Sequence, residues 1–201
     1  MTWSALFVTG RAASTQESRV EVRTAEPPTV ERPAFANVFA AELPYVLRSL
    51  RRLGALPADV EDLGHDVFMV VHRELAGFDP ARPIRPWLFG IAFRVASDHR
   101  RLARNRLEVP TAQVPDAAAL AESAEAHLER ADDRALVLAA LAALDLERRA
   151  VIVMHDLDGF SAPQVAAELG IPLNTAYSRL RLAREDLRRA VQRIRARSPK
   201  P

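Results

Sequence analysis

The 201-residue sequence predicts an all-α protein, built as two small helical domains joined by a flexible linker. Apolar residues recur at helical spacing from Phe35 to about Arg104, and again from about position 122 to Leu187. No segment alternates apolar and polar residues like a strand for more than a few positions. Between the periodic stretches, residues 105–120 hold Pro110 and Pro115 and show no period, which is the composition of a linker.

In chain order, residues 1–33 mix Ser, Thr, Glu, Arg and Pro and end in EPPTVERP. Such a composition cannot support a core and predicts a disordered N-terminal extension. The first helical pattern is Phe35, Val38, Phe39, Leu43, Val46, Leu47, Leu50 and Leu53. Pro44 is expected to kink this helix or to start a new one, because its ring clashes with the preceding turn. Leu56-Pro57-Ala58-Asp59 opens the second helix, with Val60, Leu63, Val67, Val70 and Val71 as its core stripe. Its other faces carry Asp59, Glu61, Asp62, His65 and Asp66. Gly77-Phe78-Asp79-Pro80, with Arg82, Pro83 and Arg85, reads as a loop. Pro86 suits the first turn of a third helix, Trp87 to about Arg104. Leu88, Ile91, Val95 and Leu102 are expected to face inward there, leaving Arg94, His99, Arg100 and Arg101 outside. Past the linker, an Ala- and Leu-rich helix is expected over about 122–143, and Asp145 is placed to cap a helix from Leu146 to Leu157.

Ser161 to Arg189 then reads as a helix, a tight turn and a second helix. Ser161 is a cap candidate, Pro163 sits in a first turn where its missing N–H costs nothing, and Gly170 suits a left-handed helix stop. Asn174 offers a second cap. Ala176, Leu180, Ala183 and Leu187 face the first helix, which leaves Asn174, Thr175, Tyr177, Ser178 and Arg181 outside, flanked by Arg179 and Arg184. Small polar and basic groups near the N-terminus of a second helix match the geometry that docks in the DNA major groove. Eight arginines lie between Arg179 and Arg197 against Glu185 and Asp186.

Net charge is only +2, so its distribution is more informative than its sum: Arg clusters at 94–106 and 179–197, acids at 59–66 and 122–133. The absence of Cys excludes disulfides, thiolate metal sites and a Cys nucleophile, and fits a reduced, cytoplasmic location. No apolar run approaches the roughly 18 residues of a membrane span. The N-terminus lacks the positive region of a signal peptide.

Two blocks carry a family resemblance. Asp59 to Phe68 (DVEDLGHDVF), Phe78, Arg85 to Ala92 (RPWLFGIA) and Asp98 to Arg101 (DHRR) resemble region 2 of an RNA polymerase sigma factor of the extracytoplasmic-function type. Leu144 to Ser161 (LDLERRAVIVMHDLDGFS) and the helix–turn–helix after it are similar to region 4 of that family. The resemblance implies a sigma region 2 at 34–105, a linker at 106–129 and a sigma region 4 at 130–197. It implies core RNA polymerase and promoter DNA as partners, with an anti-sigma factor as a candidate that the sequence does not itself identify. No Ser/His/Asp grouping, Gly-rich phosphate loop or HExxH is present, so no catalytic residue, cofactor or metal is expected. By position, Asp59, Glu61, Asp62 and Asp66 fall on the polymerase-docking helix. Phe78, Arg82, Arg85, Trp87, Arg94, His99, Arg100 and Arg101 fall where the family recognises and melts the −10 element. Asn174, Thr175, Tyr177, Ser178, Arg179, Arg181 and Arg184 fall on the −35 recognition helix. The residue chemistry agrees, since unpaired bases are held by aromatic faces beside basic groups. The chain departs from the family's usual Gly-Thr-Val-Lys/Arg-Ser-Arg with Asn174-Thr175-Ala176-Tyr177-Ser178-Arg179, and has Leu182 where the family often has Arg. An Arg-Asn pair common in the −10 helix is here Phe93-Arg94, and the usual Leu-Pro ahead of region 4 is Leu144-Asp145.

Two other readings compete. A dimeric helix–turn–helix regulator not associated with core polymerase would explain 145–195 but leaves the acidic helix and the Phe/Trp/Arg loop idle. A helical-bundle metalloenzyme using Asp62, His65, Asp66 and His72 lacks the second Glu-x-x-His pair that di-iron bundles need.

Overall fold

Helix α1 (Phe35–Leu53) runs unbroken through Pro44, so the expected restart at that proline does not occur. Residues 33–106 and 125–197 of the computed structural model are described. Most of the expected N-terminal extension and of the 106–129 linker lies outside them. The chain continues through α2 (Val60–Glu74), a 3-10 turn (Leu75–Gly77), α3 (Ile84–Arg106), α4 (Glu125–Ala142), α5 (Leu146–Ile152), a π turn (Val153–Leu157), α6 (Ala162–Leu169) and α7 (Leu173–Arg197). Among the described residues there is no strand.

Local chemistry sets most boundaries. Gly54 ends α1 in the left-handed conformation, φ 91°, with its N–H returning to Arg51 O. Asp145 caps α5, its Oδ1 accepting from the Arg148 N–H at 2.8 Å. At α6, Gln164 Oε1 accepts from both the N–H and the hydroxyl of Ser161 at 2.9 Å. Gly170 stops that helix with φ 64°. Two expectations fail. Leu102 is 55% exposed, so α3 turns it away from the core. Asn174 is the second residue of α7 and not its cap, because the helix already starts at Leu173.

Helices α1, α2 and α3 pack together around Val46, Leu50, Leu53, Val67, Val71, Leu88, Phe89 and Ile91. Burying each such side chain is worth about 1.5–3 kcal/mol. Leu141, Val151, Ile152, Met154, Val165, Leu180 and Ala183 join the same continuous core, so the two helical sets share one apolar interior. Polar contacts cross that junction. Arg149 is 1% exposed and donates at 2.8 Å through Nη1 to Leu53 O and through Nη2 to Ala142 O and Leu144 O. It thereby satisfies carbonyls at the C-terminal ends of α1 and α4. Burial lowers its pKa to about 10, which leaves it charged at neutral pH. Gly54 must be glycine for a second reason: a Cβ there would stand 1.9 Å from Arg149 Nη1. After the π turn, Asp158 accepts from Tyr45 Oη at 2.9 Å and from Arg52 Nη1 at 2.7 Å. Burial first, and the Asp158 carboxylate second, push the Tyr45 phenol far above its usual range.

Candidate nucleic-acid and partner interfaces

The helix–turn–helix is formed by α6, the Gly170 turn and α7. Ala176, Leu180, Ala183 and Ala190 are buried, which fixes the rotation of α7 and leaves Asn174, Tyr177, Ser178, Arg181, Arg184 and Arg188 exposed along one stripe. Thr175 and Arg179 are half-buried at its edge. The arginines differ in their commitments. Arg179 is paired with Glu147 of α5 at 2.5 Å. Arg184 forms a two-point bond with Asp156, Nε to Oδ2 at 2.8 Å and Nη2 to Oδ1 at 2.6 Å. That bond is the main reason the Asp156 carboxyl lies below its usual pKa and the Arg184 guanidinium above its own. Arg181 meets Glu185 at 2.7 Å in an exposed pair. Ser178 Oγ donates to Thr175 O at 3.0 Å. Asn174 and Tyr177 have no side-chain partner among the described residues, and Tyr177 is 52% exposed.

The residues expected at the −10 element are distributed less simply. Phe78 is buried, 8% exposed, and its ring lies 4.8 Å from that of half-buried Trp87. Phe89 is fully buried, so core packing claims it. Arg85 donates to Glu42 Oε2 at 2.9 Å and its guanidinium lies 5.2 Å from the centre of the Tyr45 ring. The Glu42 bond raises its pKa. Arg82 is hydrogen-bonded to Glu168 of α6. Arg94 is exposed with no partner among the described residues, Arg101 pairs with Asp98 at 3.3 Å, and half-buried Arg100 lies on the same helix. His99 Nε2 lies 3.8 Å from Asp59 Oδ2. A shallow cavity of about 450 Å³ is lined by Arg73, Glu74, Phe78, Asp79, Arg82 and Trp87.

On α2, Leu63, Val67 and Val71 turn inward and Glu61, Asp62 and Asp66 are exposed, without a cation partner among the described residues. Asp59, the N-cap of the same helix, is half-buried beside His99. Two residues went unnoticed in the sequence. Met69, 52% exposed, continues the Asp62–Asp66 stripe one turn on. Its signal was an apolar residue on a polar face, seven positions from Asp62. Arg188 continues the α7 stripe, and its i+7 spacing from Arg181 would have found it.

Comparison with known proteins accounts for this arrangement. Residues 38–106 match the family model for Sigma-70 region 2, and residues 134–187 match that for Sigma-70, region 4. The chain is 37% identical over 145 residues to the ECF RNA polymerase sigma factor SigL of Mycobacterium tuberculosis, covering 71% of this chain and 80% of SigL. It is 31% identical over 165 residues to the RNA polymerase sigma factor CnrH of Cupriavidus metallidurans, covering 77% and 84%. The solved structure of CnrH in complex with the cytosolic domain of CnrY superposes with a TM-score of 0.56 at 29% identity, covering 82% of this chain and 89% of that one. The sigma factor RpoE of Bartonella quintana, solved with the anti-sigma factor NepR, shares the fold, with a TM-score of 0.64 at 23% identity over 79% of this chain and 96% of that one. With both regions matched in order, the chain belongs to the sigma-70 family and is a sigma factor of the extracytoplasmic-function type, directing promoter-specific transcription initiation.

Proposed function

We propose that α2 docks on core RNA polymerase through Glu61, Asp62 and Asp66, while α7 reads the −35 element and the α3 face engages the −10 element. In this reading residues 34–105 act as region 2 and 130–197 as region 4. The observation that carries it is the contrast in charge: three exposed carboxylates on one helix have no internal cation, while the DNA-docking motif is rich in arginine. Phosphate would repel those acids, so their fitting partner is a basic protein surface. Trp87 is the proposed stacking face for an unpaired base, with Phe78 as its support and Arg82, Arg94, Arg100 and Arg101 as the surrounding cations. His99 and Asp59 are assigned to the joint between α2 and α3.

An anti-sigma factor is a further proposed partner, supported by the complexes in which CnrH and the Bartonella RpoE were solved. No described helix is long and apolar enough to cross a membrane. A cytoplasmic, non-catalytic role is proposed. The test is run-off transcription of genomic DNA by purified core polymerase with and without the protein. New, discrete transcripts that need the protein support the reading; identical transcript sets with and without it refute it.

A further inference from the structure

We propose that sequence discrimination by α7 rests on Asn174 and Tyr177, which read neighbouring A·T base pairs, while its arginines set the helix's posture and hold phosphate. This deepens the reading of α7 as the −35 helix and rests on it. The side chains of α7 differ in how free they are to meet a base. Arg184 is clamped at two points by Asp156, and Arg179 is half-buried against Glu147. For either to reach a base, an internal ion pair must break, and the gain is offset by the acid left behind. Arg181 faces Glu185 in an exposed pair, which is weaker but still competes with guanine. Ser178 is bonded to the backbone of the preceding turn. Asn174 and Tyr177 lose no internal partner on meeting DNA.

Their chemistry then names the bases. The carboxamide of Asn pairs bidentately with adenine N6 and N7 in the major groove, and an aromatic ring makes apolar contact with the thymine 5-methyl group. The two residues are three apart on a helix, hence neighbours on one face, offset by about 4.5 Å along the axis. That offset approximates one base step of about 3.4 Å, so adjacent pairs are within reach. Asn174 lies in the first turn, the part of a recognition helix that enters the groove deepest. Tyr177 offers the groove a half-exposed ring in place of a phosphate-seeking cation.

The test uses holoenzyme assembled from core polymerase and the full chain, selecting from promoters with a randomised −35 element. The wild type is expected to enrich an A·T step, and Asn174→Ala to lose the adenine preference by about tenfold. Replacing the matching thymine by deoxyuridine removes only the methyl group. It should weaken wild type and Tyr177→Phe by about fourfold and leave Tyr177→Ala unaffected. Tyr177 is half exposed, and circular dichroism checks that the variants fold. If the wild type enriches a −35 sequence that both alanine variants retain, or a guanine lost only in Arg181→Ala, the inference is overturned while the −35 reading stands. If the wild type initiates transcription but enriches no −35 sequence, both fall.

Discussion

Helix α2 and helix α7 both carry dense charge on an exposed face, yet they treat it differently. On α2, Glu61, Asp62 and Asp66 point into solvent with no internal counter-ion among the described residues. Around α7, Arg148 and Arg189 meet Asp186, Arg179 meets Glu147, Arg181 meets Glu185 and Arg184 meets Asp156. Unpaired charge is available to a partner without rearrangement, whereas paired charge must first be released. A count of charges therefore overstates what α7 offers DNA and understates what α2 offers a basic protein.

The largest expected effect tests the most committed cation of all, Arg149. Arg149→Met keeps much of the volume but leaves Leu53 O, Ala142 O and Leu144 O without their donor. Unpaired buried polar groups cost about 1–3 kcal/mol each, so a loss of at least about 3 kcal/mol is expected in urea unfolding. A loss below about 1 kcal/mol would mean that internal pairing of cations contributes little to this fold.

Next, Asp62→Arg should weaken core polymerase binding by about tenfold, more at low salt, where surface electrostatics are least screened. Its folding stability should stay within about 0.5 kcal/mol of wild type, as for an exposed group without partners. Pull-downs across a salt series, with circular dichroism alongside, separate the two quantities. Equal core binding after reversal of Glu61, Asp62 and Asp66 together would make that face merely solvated.

A smaller effect follows from pH. The Arg184 bond holds the Asp156 carboxyl below its usual pKa, and Arg148 does the same for Asp186. A carboxylate with a depressed folded-state pKa contributes stability above its unfolded value, about 3.9. That contribution disappears as pH falls through the folded-state value. Thermal unfolding between about pH 5 and pH 2 should show Asp156→Asn losing less stability on acidification than wild type. Parallel acid profiles would contradict the assignment.

Smallest is Glu185→Gln, which frees Arg181. An exposed i,i+4 pair is worth about 0.3–0.5 kcal/mol, so stability should fall by no more than that. Promoter affinity should rise slightly across all sequences, because an acid is removed and a cation released. A decline would show that Glu185 orients Arg181 for contact.

Much of this was legible in the residues. The apolar spacing marked every described helix, because burying one face dictates that period, although α7 runs on to Arg197, well past the Arg189 at which the predicted stretch ends. Gly170 and Asp145 announced their turns through conformational and hydrogen-bonding preferences that are local. The ordered blocks at Asp59–Arg101 and Leu144–Arg189 pointed to the family because their motifs are short and local in sequence. Three-dimensional packing decided the rest. Whether Phe78 and Phe89 face solvent or core depends on how α1, α2 and α3 pack together, and the capture of Arg82 depends on Glu168, 86 positions distant. The burial of Arg149 between the ends of α1 and α4 depends on Leu53, 96 positions back. The residues and their helical order determined which charges this chain carries and on which faces. Only the tertiary structure decided which of them are already neutralised, because ion pairing acts over a few ångströms and those distances are set by packing between distant segments.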